Sequence, residues 1–506
     1  MSKERYDELY ERMLTLGDLQ GLGGIAYWDM QTHMPPKGAA VRGQRLATLT
    51  KIAHGMLVDP ATGELINASE DYARSMGEES VEFATWRVIK RHYDKSVVIP
   101  TDLAAEISLA SSRGHVAWVE ARKNNDYASF KPFLQKNIEY LRQTVDLSRE
   151  LHPCAEEDYD ILLDDYEEGM KTSEVAAVFD QFKEGAKPLV DKVSASAGDG
   201  RDAAVNQNFP TEQQDKLSRE IVKAVGFNDE SWDLTTTTHP FASSMSINDI
   251  RITTKYEDNF LNPSFFGTLH EFGHGLYEHQ IDEAYDRTVL ARGVSMAWHE
   301  SQSRMWENLV GRGLPFWQWA TPVVQKHFPD QFRGMSAEDI YRAVNVMGPS
   351  LIRIEADELT YNFHIIIRFE LEREVINGNL SVDDLPAAWN AKYKDYLGVD
   401  VPSDSDGVLQ DVHWSGGSMG YFPTYALGNV LGAMLWQRIT TELPNLESEF
   451  AQGEFGSLRE WSRENVHQHG SRYTPNDLLQ RVLGTRKLDA QPLLDFLSAK
   501  VDELYG

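Results

Sequence analysis

The segment His270-Glu271-Phe272-Gly273-His274 constrains this chain more than any other feature, because its chemistry works only on a helix. On a helix, residues at i and i+4 stand one turn apart on one face. Two imidazoles so placed can hold one divalent metal ion. Glu271, about 100° round the axis, can reach a metal-bound water without being a ligand itself. Asn262-Pro263 suits the start of that helix, with Asn262 as the cap and Pro263 in the first turn. Phe266, Leu269 and Leu276 give it an apolar face, and Gly273 leaves room for a close neighbour. Two satisfied core histidines are the bland alternative. They do not explain why a carboxylate shares the turn, since an unpaired buried Glu271 is costly.

A catalytic metal of this kind needs three protein ligands and one open position. Glu278 lies a turn further along the same helix, too far down the axis, and Glu283 falls in a turn. Glu300 is better placed, in a second helical segment running from Met296 to Arg304. Its alternative role is a solvated ion pair with Arg304 at i, i+4. His299 is a rival ligand, but it points about 100° away from Glu300, so only one of the two can face the metal. Spacing favours Glu300. The implied chemistry is hydrolysis: the metal polarises water and a carbonyl, Glu271 moves the proton, and a further donor stabilises the oxyanion.

The rest of the chain predicts a mainly α protein. Residues 4–17, 81–95, 102–122 and 130–151 carry long amphipathic patterns, and a further helix is expected at about 211–226. The best loop is 195–211, which divides an N-terminal helical half (about 1–195) from a catalytic half (205–506) within one 1–506 unit. Thr235 to Phe241 and Ile250 to Thr254 are β-branched and alternating, which predicts a small sheet just before the metal helix. Such an edge suits an extended peptide.

The net charge of −29 argues against nucleic acid and anionic membrane as partners. No apolar run reaches the length of a membrane span, and the charged N-terminus is unlike a secretory leader. The single cysteine, Cys154, cannot form an internal disulfide, which fits a reducing, cytoplasmic setting.

Several segments together resemble the carboxypeptidase Taq family of zinc metallocarboxypeptidases. They are Trp28 to Pro36, Asp158 to Gly169, His239-Pro240-Phe241, Asp249 to Thr253, His270 to His274, His299 to Gln302, Ile352 to Asp357 and Gly407 to Trp414. The resemblance covers most of the chain. It implies a large helical body with a deep central groove and a small sheet beside the metal helix, similar to neurolysin. It also implies a homodimer that removes single residues from peptide C-termini with broad specificity. The metal implied is Zn²⁺, one per chain, with Co²⁺ able to substitute, held by His270, His274 and Glu300.

The resemblance further implies roles for the remaining motif residues. A guanidinium fork suits a free C-terminal carboxylate. Arg353 is the first choice and Arg251 the second; each could instead form a structural ion pair, with Asp357 and Asp249 respectively. Asp249 or Asp357 could also orient a ligand histidine. His413 and Tyr421 flank a Gly-rich stretch, 416–420, that reads as a mobile loop; His413 would hold substrate backbone and Tyr421 would donate to the oxyanion. A packed aromatic role for Tyr421 stays open. Gln410 and His239 are further candidates for substrate contact. Two other functions fit the same motif: an oligopeptidase cutting internal bonds, and a non-catalytic peptide-binding scaffold.

Overall fold

The computed structural model describes residues 2–195 and 200–506. The chain is mainly helical with one small sheet, in line with the sequence reading. The first helix is much longer than residues 4–17 and runs Ser2–Thr32. The other expected helices form at Val81–Val97, Thr101–Asn124, Tyr127–Ser148 and Thr211–Val225. Part of the expected loop, 196–199, lies outside the described residues. The Thr211–Val225 helix stops at Gly226, whose φ of 131° suits glycine.

The sheet has three strands, β1 (Trp232–Thr236), β2 (Ala242–Ser246) and β3 (Asp249–Thr254), in the order β1-β3-β2. β1 pairs parallel and β2 antiparallel with the central β3. Polarity alone did not reveal β2, because Ala242 to Ser246 is mostly serine and lacks alternation. β1 also ends earlier than expected, so Thr237 to Pro240 form the turn into β2.

The sheet gives the metal helix, Asn262–His279, something to lie on. Phe272 points back from its buried face between Trp232 and Trp306, at ring separations of 5.4 and 5.0 Å. Burying a side chain of that size contributes about 1.5–3 kcal/mol, so the back of the helix fixes its front. Asn262 is the first residue of this helix rather than its cap; the cap position is Leu261, which has no capping side chain. Pro263 lies in the first turn as expected.

One continuous core draws residues from Ala121 to Leu504. The first helices hold a separate cluster, which includes Leu9, Met13, Ile66, Trp86 and Ile89. A small third cluster joins Ala84 and Val88 to Ile281, Tyr285 and Leu290 of the main body. Among the described residues, no helix is long and apolar enough to cross a membrane.

Candidate active site

Two helices make the centre. The metal helix supplies His270 and His274, and the following helix, Met296–Arg304, supplies Glu300. They approach closely because Gly273 has no side chain. A Cβ there would stand 2.5 Å from the Gln302 carbonyl oxygen and 2.6 Å from the Ser303 Cα. On the far side, a Cβ at Gly428 would stand 2.6 Å from the Glu300 side chain. Ser295 caps the Glu300 helix by accepting from the Trp298 N–H, and the buried Glu167 accepts from the Ala297 N–H and the Ser295 hydroxyl.

The Nε2 atoms of His270 and His274 lie 3.7 and 3.5 Å from one Glu300 oxygen, and the three groups offer ligand atoms all within 4.8 Å of one another. Tetrahedral ligands at about 2.1 Å from a zinc ion would be about 3.4 Å apart. Two imidazole nitrogens and a carboxylate oxygen are also the donor set expected of a catalytic zinc.

The outward nitrogens explain how the ligands are aimed. His270 donates from Nδ1 to Glu307, at 2.8 Å. His299 Nε2 donates to Glu278 at 2.6 Å, which leaves its Nδ1 to accept from His274 Nδ1 at 2.8 Å. These acceptors assign both ligand protons to Nδ1 and leave each Nε2 lone pair facing the metal position. Glu300 is steadied by Arg304, whose Nε donates to it at 2.7 Å while Nη1 donates to Glu307 at 3.1 Å. The Glu300–Arg304 pair is therefore real but buried, and it coexists with the ligand geometry.

Burial sets the charges. It pushes the Glu271 carboxyl up to about 7, and that side chain has no hydrogen-bond partner among the described residues. Burial also pulls His274 down to about 4. For Glu300 burial acts upward, but Arg304 and the two histidines outweigh it and hold the carboxyl well below its usual range.

His413 and Tyr421 gather on the same side. Their rings stack at 5.6 Å, and Tyr425 reaches His413 Nε2 at 3.4 Å. The negative charge of Glu300 acts on both Tyr421 and Tyr425. Burial is the main cause that lifts Tyr421 to about 12, so its phenol keeps its proton. Burial lowers His413 to about 4, and its Nδ1 is buried without a hydrogen-bond partner among the described residues. The Gly-rich stretch beside them is pinned rather than loose. Asn137 donates to the Ser415 carbonyl, and the Gly420 N–H donates to the buried Glu372, which also holds Tyr159 and Trp414. A Cβ at Gly420, where φ is 95°, would stand 2.8 Å from the Leu162 carbonyl oxygen.

Arg353 reaches this cluster through Tyr361, which accepts from its Nη1 at 3.0 Å and lies 4.5 Å below the Arg304 guanidinium. Its partner is Asp411, not the expected Asp357. Asp357 instead accepts the Leu359 and Thr360 N–H groups at the start of the next helix. Asp411 serves Arg368 as well, so two guanidinium groups share one carboxylate.

The structure does not bring the other candidates to the metal. Gln410 is beside Arg353, but its oxygen accepts from the Arg353 N–H and from Arg368, and its nitrogen donates to the Asp406 carbonyl. Its amide is thus spent on the protein, not offered to substrate. Arg251 forms a two-pronged pair with Asp249 and lines a separate recess of about 540 Å³ with Trp28, Arg42 and Arg45. His239 is exposed in the turn between β1 and β2. Neither Asp249 nor Asp357 is hydrogen-bonded to His270 or His274; Glu307 and His299 are. Glu307 was legible in principle, since it lies seven residues from Glu300 with Arg304 between them. Glu278 required a contact between two helices that spacing alone cannot show.

A sequence profile of the carboxypeptidase Taq (M32) metallopeptidase family matches residues 8–501. Thermostable carboxypeptidase 1 of Thermus thermophilus is 39% identical, over 99% of each chain, and carboxypeptidase 1 of Bacillus subtilis is 36% identical, over 98% of each. Among solved structures, the M32 carboxypeptidase of Deinococcus radiodurans superposes with a TM-score of 0.93 at 36% identity, covering 99% of this chain and 100% of that one. A Trypanosoma cruzi metallocarboxypeptidase superposes at 0.91 with 29% identity, over 99% of each chain. With fold, metal-ligand geometry and full-length similarity in agreement, this chain belongs to the carboxypeptidase Taq (M32) metallopeptidase family. It is a metallocarboxypeptidase, and its substrates are peptides.

Proposed function

We propose that the metal is zinc, one ion per chain on His270, His274 and Glu300, with cobalt able to replace it. The observation that carries this reading is the convergence of those three ligand atoms beside a buried Glu271 that makes no side-chain hydrogen bond among the described residues. Bound there, zinc supplies Lewis acidity to water and to the scissile carbonyl. Glu271 accepts the proton of the attacking water and delivers it to the leaving amine. Tyr421, protonated and close to His413, donates to the developing oxyanion, and His413 holds the substrate backbone. Arg353 carries the excess positive charge of the Arg353–Asp411–Arg368 group, and it receives the C-terminal carboxylate.

The whole chain acts as one catalytic unit, with an N-terminal helical half of about 1–195 and a catalytic half of 205–506. The lone Cys154 supports a cytoplasmic setting. A homodimer is supported by the family resemblance and by exposed apolar residues on the first two helices, including Leu22, Ile25, Val41 and Ile52.

Digestion of an unblocked peptide panel, with and without chelator, tests the reading by mass spectrometry. The expected result is a ladder losing one C-terminal residue at a time, abolished by chelator and restored by zinc or cobalt. Internal cleavage with intact ends would instead select the oligopeptidase reading.

A further inference from the structure

Glu372 is fully buried on the Tyr361–Ile376 helix and forms no ion pair among the described residues. Arg368, one turn back on that helix, is taken by Asp411, Gln410 and the His364 carbonyl. Burying a carboxylate is costly unless hydrogen bonds replace its water. Three do so. Trp414 Nε1 donates to one oxygen at 2.6 Å. The Tyr159 hydroxyl and the Gly420 N–H donate to the other at 2.6 and 3.0 Å.

The sequence positions of those donors matter most. Trp414 directly follows His413, and Gly420 directly precedes Tyr421. One carboxylate thus grips the chain just inside both residues proposed to meet the substrate. The third donor, Tyr159, brings in the Asp158 to Gly169 segment, a motif that supplies no metal ligand. The same segment places the Leu162 carbonyl where a Cβ on Gly420 would stand, and the Tyr166 ring 5.2 Å from that of Tyr421. Tyr361, Arg368 and Glu372 are seven and four residues apart, so they share one face of their helix. Through them that face holds Arg353, Asp411 and the 413–421 segment.

A carboxylate suits this place and an amide does not. The indole and the backbone amide can only donate, and a carboxylate accepts on both oxygens. A glutamine would turn its NH₂ toward either Trp414 or Gly420, donor against donor, and leave a buried N–H unpaired.

We propose that Glu372 is a positioning residue for the reaction. By gripping Trp414 and Gly420 it sets the Tyr421 hydroxyl where the oxyanion develops, so the donor is in place before the substrate arrives. The proposal rests on the reading of Tyr421 as oxyanion donor and deepens it.

A double-mutant cycle of Glu372→Gln and Tyr421→Phe tests it in the metal-loaded enzyme. The readouts are kcat and KM on an N-blocked free-acid dipeptide, with metal affinity from chelator competition. Glu372→Gln should lower kcat roughly 10- to 100-fold, the usual cost of a misplaced group, and leave KM and metal affinity nearly unchanged. In the Tyr421→Phe background it should cost less than about 3-fold, because the hydroxyl it places is gone. A merely structural role predicts the same further loss in both backgrounds. That result, or no loss from Glu372→Gln alone, overturns the proposal. Tyr421→Phe by itself separates the two readings. If it keeps its kcat, the oxyanion assignment fails and the positioning role falls with it. If it loses kcat while Glu372→Gln adds in full, the positioning role alone fails. Tyr159→Phe, which deletes one donor and keeps the ring, serves if Glu372→Gln folds poorly. Its smaller loss in kcat should likewise vanish in the Tyr421→Phe background, and is judged by the same outcomes.

Discussion

Each histidine proposed to hold the metal is held by a second residue, and that second residue by a third. His274 leans on His299, which leans on Glu278; His270 leans on Glu307, which leans on Arg304. Glu307→Gln and Glu278→Gln should therefore each weaken metal binding by roughly 10- to 100-fold without touching the metal. Competition with a chromogenic chelator measures this, and unchanged affinity would show the hydrogen bonds to be incidental. Glu271 has no such support and needs none if its task is to move a proton. Glu271→Gln should keep the metal and lose roughly 10²–10⁴-fold in kcat. A variant that keeps its rate would remove Glu271 from the mechanism.

At the scale of elements, the site depends on how closely two helices approach. Gly273→Ala forces a methyl onto the Gln302–Ser303 backbone, and Gly428→Ala forces one onto Glu300. Backbone cannot swing aside as a side chain can, so Gly273→Ala should cost about 1–3 kcal/mol in thermal unfolding and lower metal affinity. A second joint ties the Val81–Val97 helix to the 158–169 segment. Asp164 accepts from Arg91, His152 and the Gly169 N–H, with Lys95 at 2.7 Å. Burial acts to raise its pKa, but the hydrogen bond from His152 and the charges of Arg91 and Lys95 outweigh it, and the carboxyl stays far below its usual range. A depressed carboxyl stabilises the fold above its unfolded value of 3.8 and loses that contribution as pH falls below it. Asp164→Asn should thus lower stability at neutral pH and flatten its decline below about pH 4. An unchanged acid limb would contradict the assignment.

The same scale explains what the sequence could show. Helical periodicity, the His270–His274 spacing and the i, i+4 step from Glu300 to Arg304 are local, so they were legible in one dimension. The long first helix was underestimated because residues 17–32 have little amphipathic pattern and bury mainly Trp28. The Asp411 bridge between Arg353 and Arg368, the Glu278–His299 contact and the clamped glycine stretch all join segments far apart in sequence. No spacing rule reaches them. The motif around Arg251 was legible as a motif, yet its side chain faces a recess beneath the first helices.

For the whole molecule, a metal held by His270, His274 and Glu300 would tie the two central helices together only in the folded state and so stabilise that state by mass action. Removing it should lower Tm, and zinc at about 100 times its Kd should return about 2.7 kcal/mol. Calorimetry across a zinc titration checks this; a Tm that ignores zinc would mean the ion adds nothing to the fold.

The separate cluster of the first helices has its own consequence, which concerns time. Those helices are secured to one another by residues such as Leu9, Met13 and Ile66, and to the main body by the small Val88–Leu290 cluster, the Asp164 joint, the Arg287–Asp18 pair and Trp28 against Phe241. They can therefore open as a cooperative unit while the metal helix stays shut. Amide protons of residues 5–16 and 62–73 should exchange together and early, and those of 265–277 late. Zinc should slow only the second group. A single exchange rate for both would mean that the protein breathes as one body.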